Sequence, residues 1–177
     1  MTDFVPKCKQ LPPGVEPVKP EKGQTSVWDF PRPAKLLPAP HKITVVFGGQ
    51  VLIETEEAFM VVETSHPPSY YLPRCDLKDI AMLKPISQRS LCEWKGEAHY
   101  FDLQCDGHEA RQSVWTYPQP TKAFQEIENY LAFYPQLMDA CYVDGELVQP
   151  QPGRFYGGWV SPHYVGPFKG EPESMFW

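Results

Sequence analysis

Proline decides what this chain can fold into: 21 of its 177 residues are proline, and they are spread along its whole length. Proline has no backbone N–H and a fixed φ, so it breaks helix interiors and is kept out of central strands. Short strands joined by irregular turns are expected, and an all-helical fold is nearly excluded. The length suits one domain with a single sizeable core. Residues 1–40, rich in Pro and Lys and poor in β-branched side chains, cannot bury enough apolar area for a core of their own and read as an extended N-terminal arm. Within the arm, Trp28, Phe30, Pro31 and Pro33 form a cluster suited to docking on the domain, and regular structure is expected from about Val27.

The body of the domain, residues 41–150, carries strand and turn signals. Lys42 to Phe47 and Gln50 to Glu54 are β-branched and apolar around Gly48-Gly49, a pair that supplies positive φ for a tight hairpin turn. Ala58 to Glu63 continues as a strand. The chain must then leave the sheet at Ser65-His66-Pro67-Pro68-Ser69, because consecutive prolines cannot donate to a ladder. Tyr70 to Pro73 is extended again, and Asp76 to Leu83 suits a short helical turn. Asp106-Gly107 between Ala98–Cys105 and Glu109–Tyr117 predicts a second hairpin, and Asp144-Gly145 a third. Ala123, Phe124, Ile127, Tyr130, Leu131 and Tyr134 recur at helical spacing. This predicts one amphipathic helix, capped by Thr121 and ended at Pro135. The expected fold is mainly β (α+β), with antiparallel sheets and that helix covering one flank.

Charge and cysteine content exclude several function classes. The net charge of -6 and the lack of any Lys/Arg cluster argue against nucleic acid as a partner. The five cysteines, Cys8, Cys75, Cys92, Cys105 and Cys141, have no CxxC spacing, and the N-terminus has no secretory pattern, so reduced thiols in a cytoplasmic protein are expected. Apolar runs such as Ile43 to Phe47 are far too short to span a membrane.

Three stretches carry a family resemblance: Glu63-Thr-Ser-His-Pro-Pro-Ser-Tyr-Tyr-Leu-Pro73, Cys92-Glu-Trp-Lys-Gly-Glu-Ala-His-Tyr100, and Trp115-Thr-Tyr-Pro-Gln-Pro120 leading into Tyr130-Leu-Ala-Phe-Tyr134. With Val45-Val-Phe-Gly-Gly49 and Tyr142-Val-Asp-Gly-Glu146, they make residues 42–150 resemble the family called domain of unknown function 427. The resemblance implies antiparallel sheets pinned together like a tent, similar in shape to domains that hold small molecules in aromatic cages. It places pocket residues at Glu63, Ser65, His66, Tyr71, Lys95, Gly96, Tyr100, Trp115 and Tyr117. The extension over residues 151–177, rich in Gly and aromatics, resembles a longer, cyanobacterial-type version and is expected to pack on the domain. Trp94-Lys95-Gly96 and Phe168-Lys169-Gly170 share an aromatic-Lys-Gly pattern, short enough to arise by chance.

The family also carries a nucleotidyltransferase-like label. That chemistry needs paired carboxylates for Mg²⁺ and a glycine-bearing phosphate loop, and neither is evident. A Ser65–His66 nucleophile is disfavoured because adjacent side chains of an extended chain point to opposite faces. Cys92 beside Lys95 could have a lowered thiol pKa, though a buried, inert cysteine is the commoner outcome. The histidines His41, His66, His99, His108 and His163 lack metal-ligand spacing, so no metal site is expected. Were one present, His66 with His99 or Cys92 would be the grouping. No cofactor or oligomeric state is specified.

The expected function is binding of a small planar or anionic metabolite, with Lys95 supplying charge, Trp115 and Tyr100 the walls, and Ser65, His66, Tyr71 and Tyr117 lining the same pocket. The first alternative is an enzyme acting on a metabolite or nucleotide, with His66 as general acid or base, Glu63 orienting it, and Lys95 or Cys92 as electrophile or nucleophile. The second is a protein-interaction module that uses the arm and the aromatic tail.

Overall fold

The computed structural model describes residues 11–153 and 155–177; the first ten residues of the arm, with Cys8, lie outside them. Through the first half the strands are β1 (Thr25–Ser26), β2 (Lys35–Pro38), β3 (Ile43–Phe47), β4 (Gln50–Thr55), β5 (Phe59–Val62), β6 (Ser69–Tyr71) and β7 (Leu83–Cys92). They continue as β8 (Gly96–Cys105), β9 (His108–Thr116), β10 (Ala132–Phe133), β11 (Ala140–Val143), β12 (Glu146–Leu147), β13 (Gln149–Pro150), β14 (Trp159–Val160) and β15 (Tyr164–Val165). Two four-stranded sheets dominate, in the orders β10-β9-β8-β7 and β12-β11-β3-β4, with the three-stranded β2-β5-β6 beside them. Their pairings are antiparallel. Two short ribbons, β13-β14 and the parallel β1-β15, complete the described strands.

All three expected hairpins form. At the first turn Gly48 and Gly49 have φ of 60° and 72°, the doubly positive geometry that matches the twist of the flanking strands. Asp106-Gly107 and Asp144-Gly145 adopt the same signs, with φ of 48° and 81° and of 52° and 80°.

The sequence reading misses β7. This ten-residue strand is almost wholly exposed and contains Pro85, so it carries neither an alternating pattern nor a β-branched run. It is an edge strand, and its register shifts between Pro85 and Arg89, where a missing N–H costs no ladder bond.

The amphipathic helix does not form. Residues Lys122–Ile127 make a 3₁₀ segment kinked at Phe124 (φ -121°, ψ 18°), and Asn129 takes a left-handed φ of 61° that ends the helical course. The following residues are taken by the sheet. Leu131 exchanges two backbone hydrogen bonds with Leu72, at 2.8 and 2.9 Å, and Ala132–Phe133 pairs with Trp115 and Val114. Leu131, Ala132 and Phe133 are consecutive and all fully buried. A strand lying between two apolar layers can bury such a run, but one face of a surface helix cannot.

Those two layers follow from the period-2 alternation of the strands. On one face of the β10-β9-β8-β7 sheet, Phe101, Val114 and Phe133 stand in register and join the larger core. On the other face Tyr100, Trp115 and Ala132 stand in register and join a smaller, aromatic core with Tyr71 and Tyr117.

Both chain ends pack into the larger core. Val27, Trp28 and Phe30 from the arm are buried there beside Trp159 and Tyr164 from the extension. Trp159 is completely buried, tilted against Tyr70 at 5.2 Å, and its indole N–H donates to the Phe133 carbonyl at 3.1 Å. Trp159→Ala is therefore expected to cost about 3–5 kcal/mol. Urea denaturation measures this, and a cost within 0.5 kcal/mol would show that the extension adds nothing to the core.

Candidate functional site

A cavity of about 900 Å³ lies against the aromatic face of the sheet. Its floor comes from β8 and β9, whose register sets Tyr100 beside Trp115. Tyr71, at the end of β6, and Tyr117, just after β9, add two further rings. Trp115 is held in place by contacts on several sides. Its ring packs on Tyr134 at 4.5 Å and meets Tyr71 edge-on at 6.2 Å, and its N–H donates to the Tyr71 hydroxyl at 3.4 Å. On the remaining side Gly157 lies so close that a Cβ there would overlap the Trp115 ring. Tyr100 is fixed by a 2.7 Å hydrogen bond between its hydroxyl and that of Ser90, across the β7–β8 ladder.

Charge enters from three cations. Lys95, in the β7–β8 turn, places its ammonium 5.8 Å over the Tyr117 ring and has no carboxylate partner within ion-pair distance among the described residues. Burial disfavours its ammonium, but the neighbouring Tyr71 and Cys92 side chains and the Glu63 carboxylate outweigh this and raise its pKa above the ordinary lysine value. Arg32 pairs with Glu63 at 3.4 Å. Lys169 donates to the Trp177 backbone oxygen at 2.9 Å, and its pKa is lowered, first by burial and then by Arg32. The lysines of the two aromatic-Lys-Gly stretches thus line the same cavity.

His66 also lines it. Its Nδ1–H donates to the Thr64 carbonyl at 3.1 Å, which leaves Nε2 unprotonated in the neutral ring. Tyr156 packs edge-on against the imidazole at 4.8 Å. Burial lowers the His66 pKa, more than the nearby Glu63 carboxylate restores it. The imidazole is therefore neutral at pH 7.

Of the residues singled out from sequence, Glu63, His66, Tyr71, Cys92, Lys95, Tyr100, Trp115 and Tyr117 line this one cavity, and Ser65 does not. Ser65 is fully buried with a left-handed φ of 72° and a side-chain oxygen that lacks a hydrogen-bond partner. Its role is in the backbone: its N–H donates to Val27 O at 3.1 Å, and its carbonyl accepts from Lys169 N–H at 2.8 Å. Gly96 sits at the base of the β7–β8 turn with φ of 104°, close against Gln119. His99 is not in the wall but pairs with Glu97 at 3.0 Å, so the His66–His99 metal grouping does not form. Among the described residues Cys75, Cys92, Cys105 and Cys141 are free thiols.

Sequence reasoning missed the wall built by Arg32, Tyr134, Tyr156, Gly157, Lys169 and Trp177. Its sequence signals were the density of aromatics and glycines after residue 151, the Phe168-Lys169-Gly170 pattern, and Tyr134 at the end of a family stretch, none of which was assigned to the pocket. Nothing near Arg32 pointed to a site.

No curated protein matches this chain. The family model described as domain of unknown function (DUF427) matches residues 35–144. That span includes β2 to β11 and the aromatic floor, whereas Arg32, Tyr156, Gly157, Lys169 and Trp177 lie outside it. The matched span covers more than half of the chain, which therefore belongs to the DUF427 family.

Proposed function

We propose that the cavity binds a small, planar, anionic metabolite. The observation that carries this reading is the Lys95 ammonium, which lies over the Tyr117 ring among aromatic side chains with no carboxylate within ion-pair distance among the described residues. A cation in that setting is stabilised by a ligand anion, and flat rings at Tyr100, Trp115 and Tyr117 give area to a planar ligand. The size fits as well: drug-sized ligands occupy pockets of roughly 300–1,000 Å³. In this reading the sheets are pinned over the ligand in the tent-like arrangement, with the arm and the extension as outer walls of one cytoplasmic domain.

A second reading, an enzyme acting on the same ligand, is favoured by one observation. The neutral His66 keeps Nε2 unprotonated at the cavity while Nδ1 is tied to Thr64, which is the state a general base needs. In this reading Glu63 orients the group electrostatically, and Cys92, which lines the same cavity beside Lys95, is the candidate nucleophile.

A thermal-shift screen against aromatic carboxylates, nucleotides and phosphorylated cofactors tests the first reading. Anionic planar ligands should raise the unfolding midpoint. Lys95→Ala and Trp115→Ala should each weaken the best of them by about 10- to 100-fold, the worth of one charge-assisted contact. A screen whose hits are neutral or cationic, or that Lys95→Ala leaves unchanged, would overturn it. Turnover of a bound ligand that is lost in His66→Ala, with binding retained, would favour the enzyme; binding without turnover in the wild type would remove it.

His66 also predicts a pH effect. Its folded-state pKa lies below the ordinary value of 6.5, so its contribution to stability is complete above about pH 6.5. As pH falls through that value the unfolded chain takes up a proton before the folded one, and stability is lost. Urea denaturation between about pH 7.5 and 5.5 should therefore show a steeper loss for wild type than for His66→Gln. Parallel pH profiles would rule out the buried neutral state.

A further inference from the structure

Outside the cavity lining, His41, Asp144 and His163 converge from three distant parts of the chain. His41 lies two residues before β3, Asp144 opens the β11–β12 turn, and His163 precedes β15. Their donor atoms all lie within 4.8 Å of one another. His41 Nδ1 is 2.7 Å and His163 Nε2 is 3.4 Å from the same carboxylate oxygen, Asp144 Oδ2, and the two imidazoles stack at 4.4 Å. None of the three lines the cavity.

We propose that these three side chains form a binding site for a first-row divalent cation of the Zn²⁺ type, which fastens the C-terminal segment to the β12-β11-β3-β4 sheet. Ligands about 2.0–2.2 Å from a tetrahedral zinc stand roughly 3.3–3.5 Å apart; the His163–Asp144 contact already has that length, the His41–Asp144 contact must lengthen, and the His41–His163 pair lies within 4.8 Å. The cation takes the place of the proton now shared there.

Three further features mark the group as oriented for a ligand. His41 turns its other nitrogen, Nε2, to the Tyr164 hydroxyl at 3.1 Å, which is the outer hydrogen bond that fixes tautomer and ring direction in metal-bound histidines. Asp144 is immobilised by the Lys42 N–H, which donates to its other oxygen, Oδ1, at 2.8 Å. His163 Nε2 is buried, and its 3.4 Å contact with Asp144 Oδ2 lacks hydrogen-bond geometry. Such an atom costs free energy as it stands, and a metal bond satisfies it. Two imidazoles and one carboxylate suit Zn²⁺, Co²⁺, Ni²⁺ or Cu²⁺ and disfavour Mg²⁺ and Ca²⁺, which take oxygen ligands. Asp144 is 39% exposed, so water can fill a fourth position.

The test uses the untagged, chelator-treated full chain, titrated with ZnSO₄ and followed by calorimetry and thermal unfolding. One equivalent of Zn²⁺ should bind. At a hundredfold excess over Kd the midpoint should rise by roughly 5–10 °C, and Mg²⁺ should give no shift. His163→Ala and Asp144→Asn should each lose that equivalent or weaken it by at least about 100-fold. Absence of binding, or one equivalent retained in both variants because thiols carry it, overturns the proposal. Should a variant fail to fold, Co²⁺ on the wild type decides. Visible d–d bands without a thiolate charge-transfer band support nitrogen and oxygen ligation, and a thiolate band or no spectrum excludes the site.

Discussion

The structure depends on where the backbone of the buried turn at residues 64–68 finds its hydrogen bonds. This segment joins β5 to β6 and carries Pro67 and Pro68, so it cannot complete a ladder with its own neighbours. Buried amides and carbonyls must nevertheless be paired. The arm supplies one set of partners: Pro31 O accepts from Thr64 N–H at 3.1 Å and Val27 O from Ser65 N–H at 3.1 Å. The C-terminal segment supplies the other: Lys169 N–H donates to Ser65 O, and Trp159 N–H donates to Pro68 O, both at 2.8 Å. Two prolines thus oblige the fold to bring both ends of the chain to one place. His66 stands in the middle of that junction, and its ring is held because the backbone on either side of it is held.

The same junction accounts for a cavity wall with two origins. The floor is made by strands inside the family span, where side-chain alternation sends Tyr71, Tyr100 and Trp115 to one face and Tyr70, Phe101 and Val114 to the other. The rim comes from segments drawn in to satisfy the turn, and it brings Arg32, Tyr156 and Lys169 with it. Gly157 shows how closely the two parts meet, since no side chain fits between its Cα and the Trp115 ring.

How much could be read from the sequence varies with how local each cause is. The three hairpin turns were legible because two successive residues at positive φ demand Gly, Asn or Asp at adjacent positions. The aromatic floor was legible through the family resemblance, which is densest where the strands supply the rings. The supposed helix after Thr121 failed because a 3.6-residue period in six apolar positions also fits a 3₁₀ turn followed by a strand, and only the Leu72–Leu131 and Val114–Phe133 pairings choose between them. Strand β7 was hidden by its own exposure. The His41–Asp144–His163 group was beyond sequence reasoning, because residues 103 and 122 positions from His41 become its neighbours only after the sheet closes and the C-terminal segment returns.

The charge distribution then bears on function more directly than the fold does. The chain carries a net charge of -6, yet its main cavity gathers Arg32, Lys95 and Lys169 against Glu63 and Glu93. Arg32 is paired with Glu63 and Lys169 donates to the Trp177 backbone oxygen, whereas Lys95 has no carboxylate within ion-pair distance among the described residues. Low-dielectric aromatic walls concentrate its field towards the opening, while the negative exterior repels anions elsewhere. In the proposed reading, selectivity for an anion would rest chiefly on that ammonium.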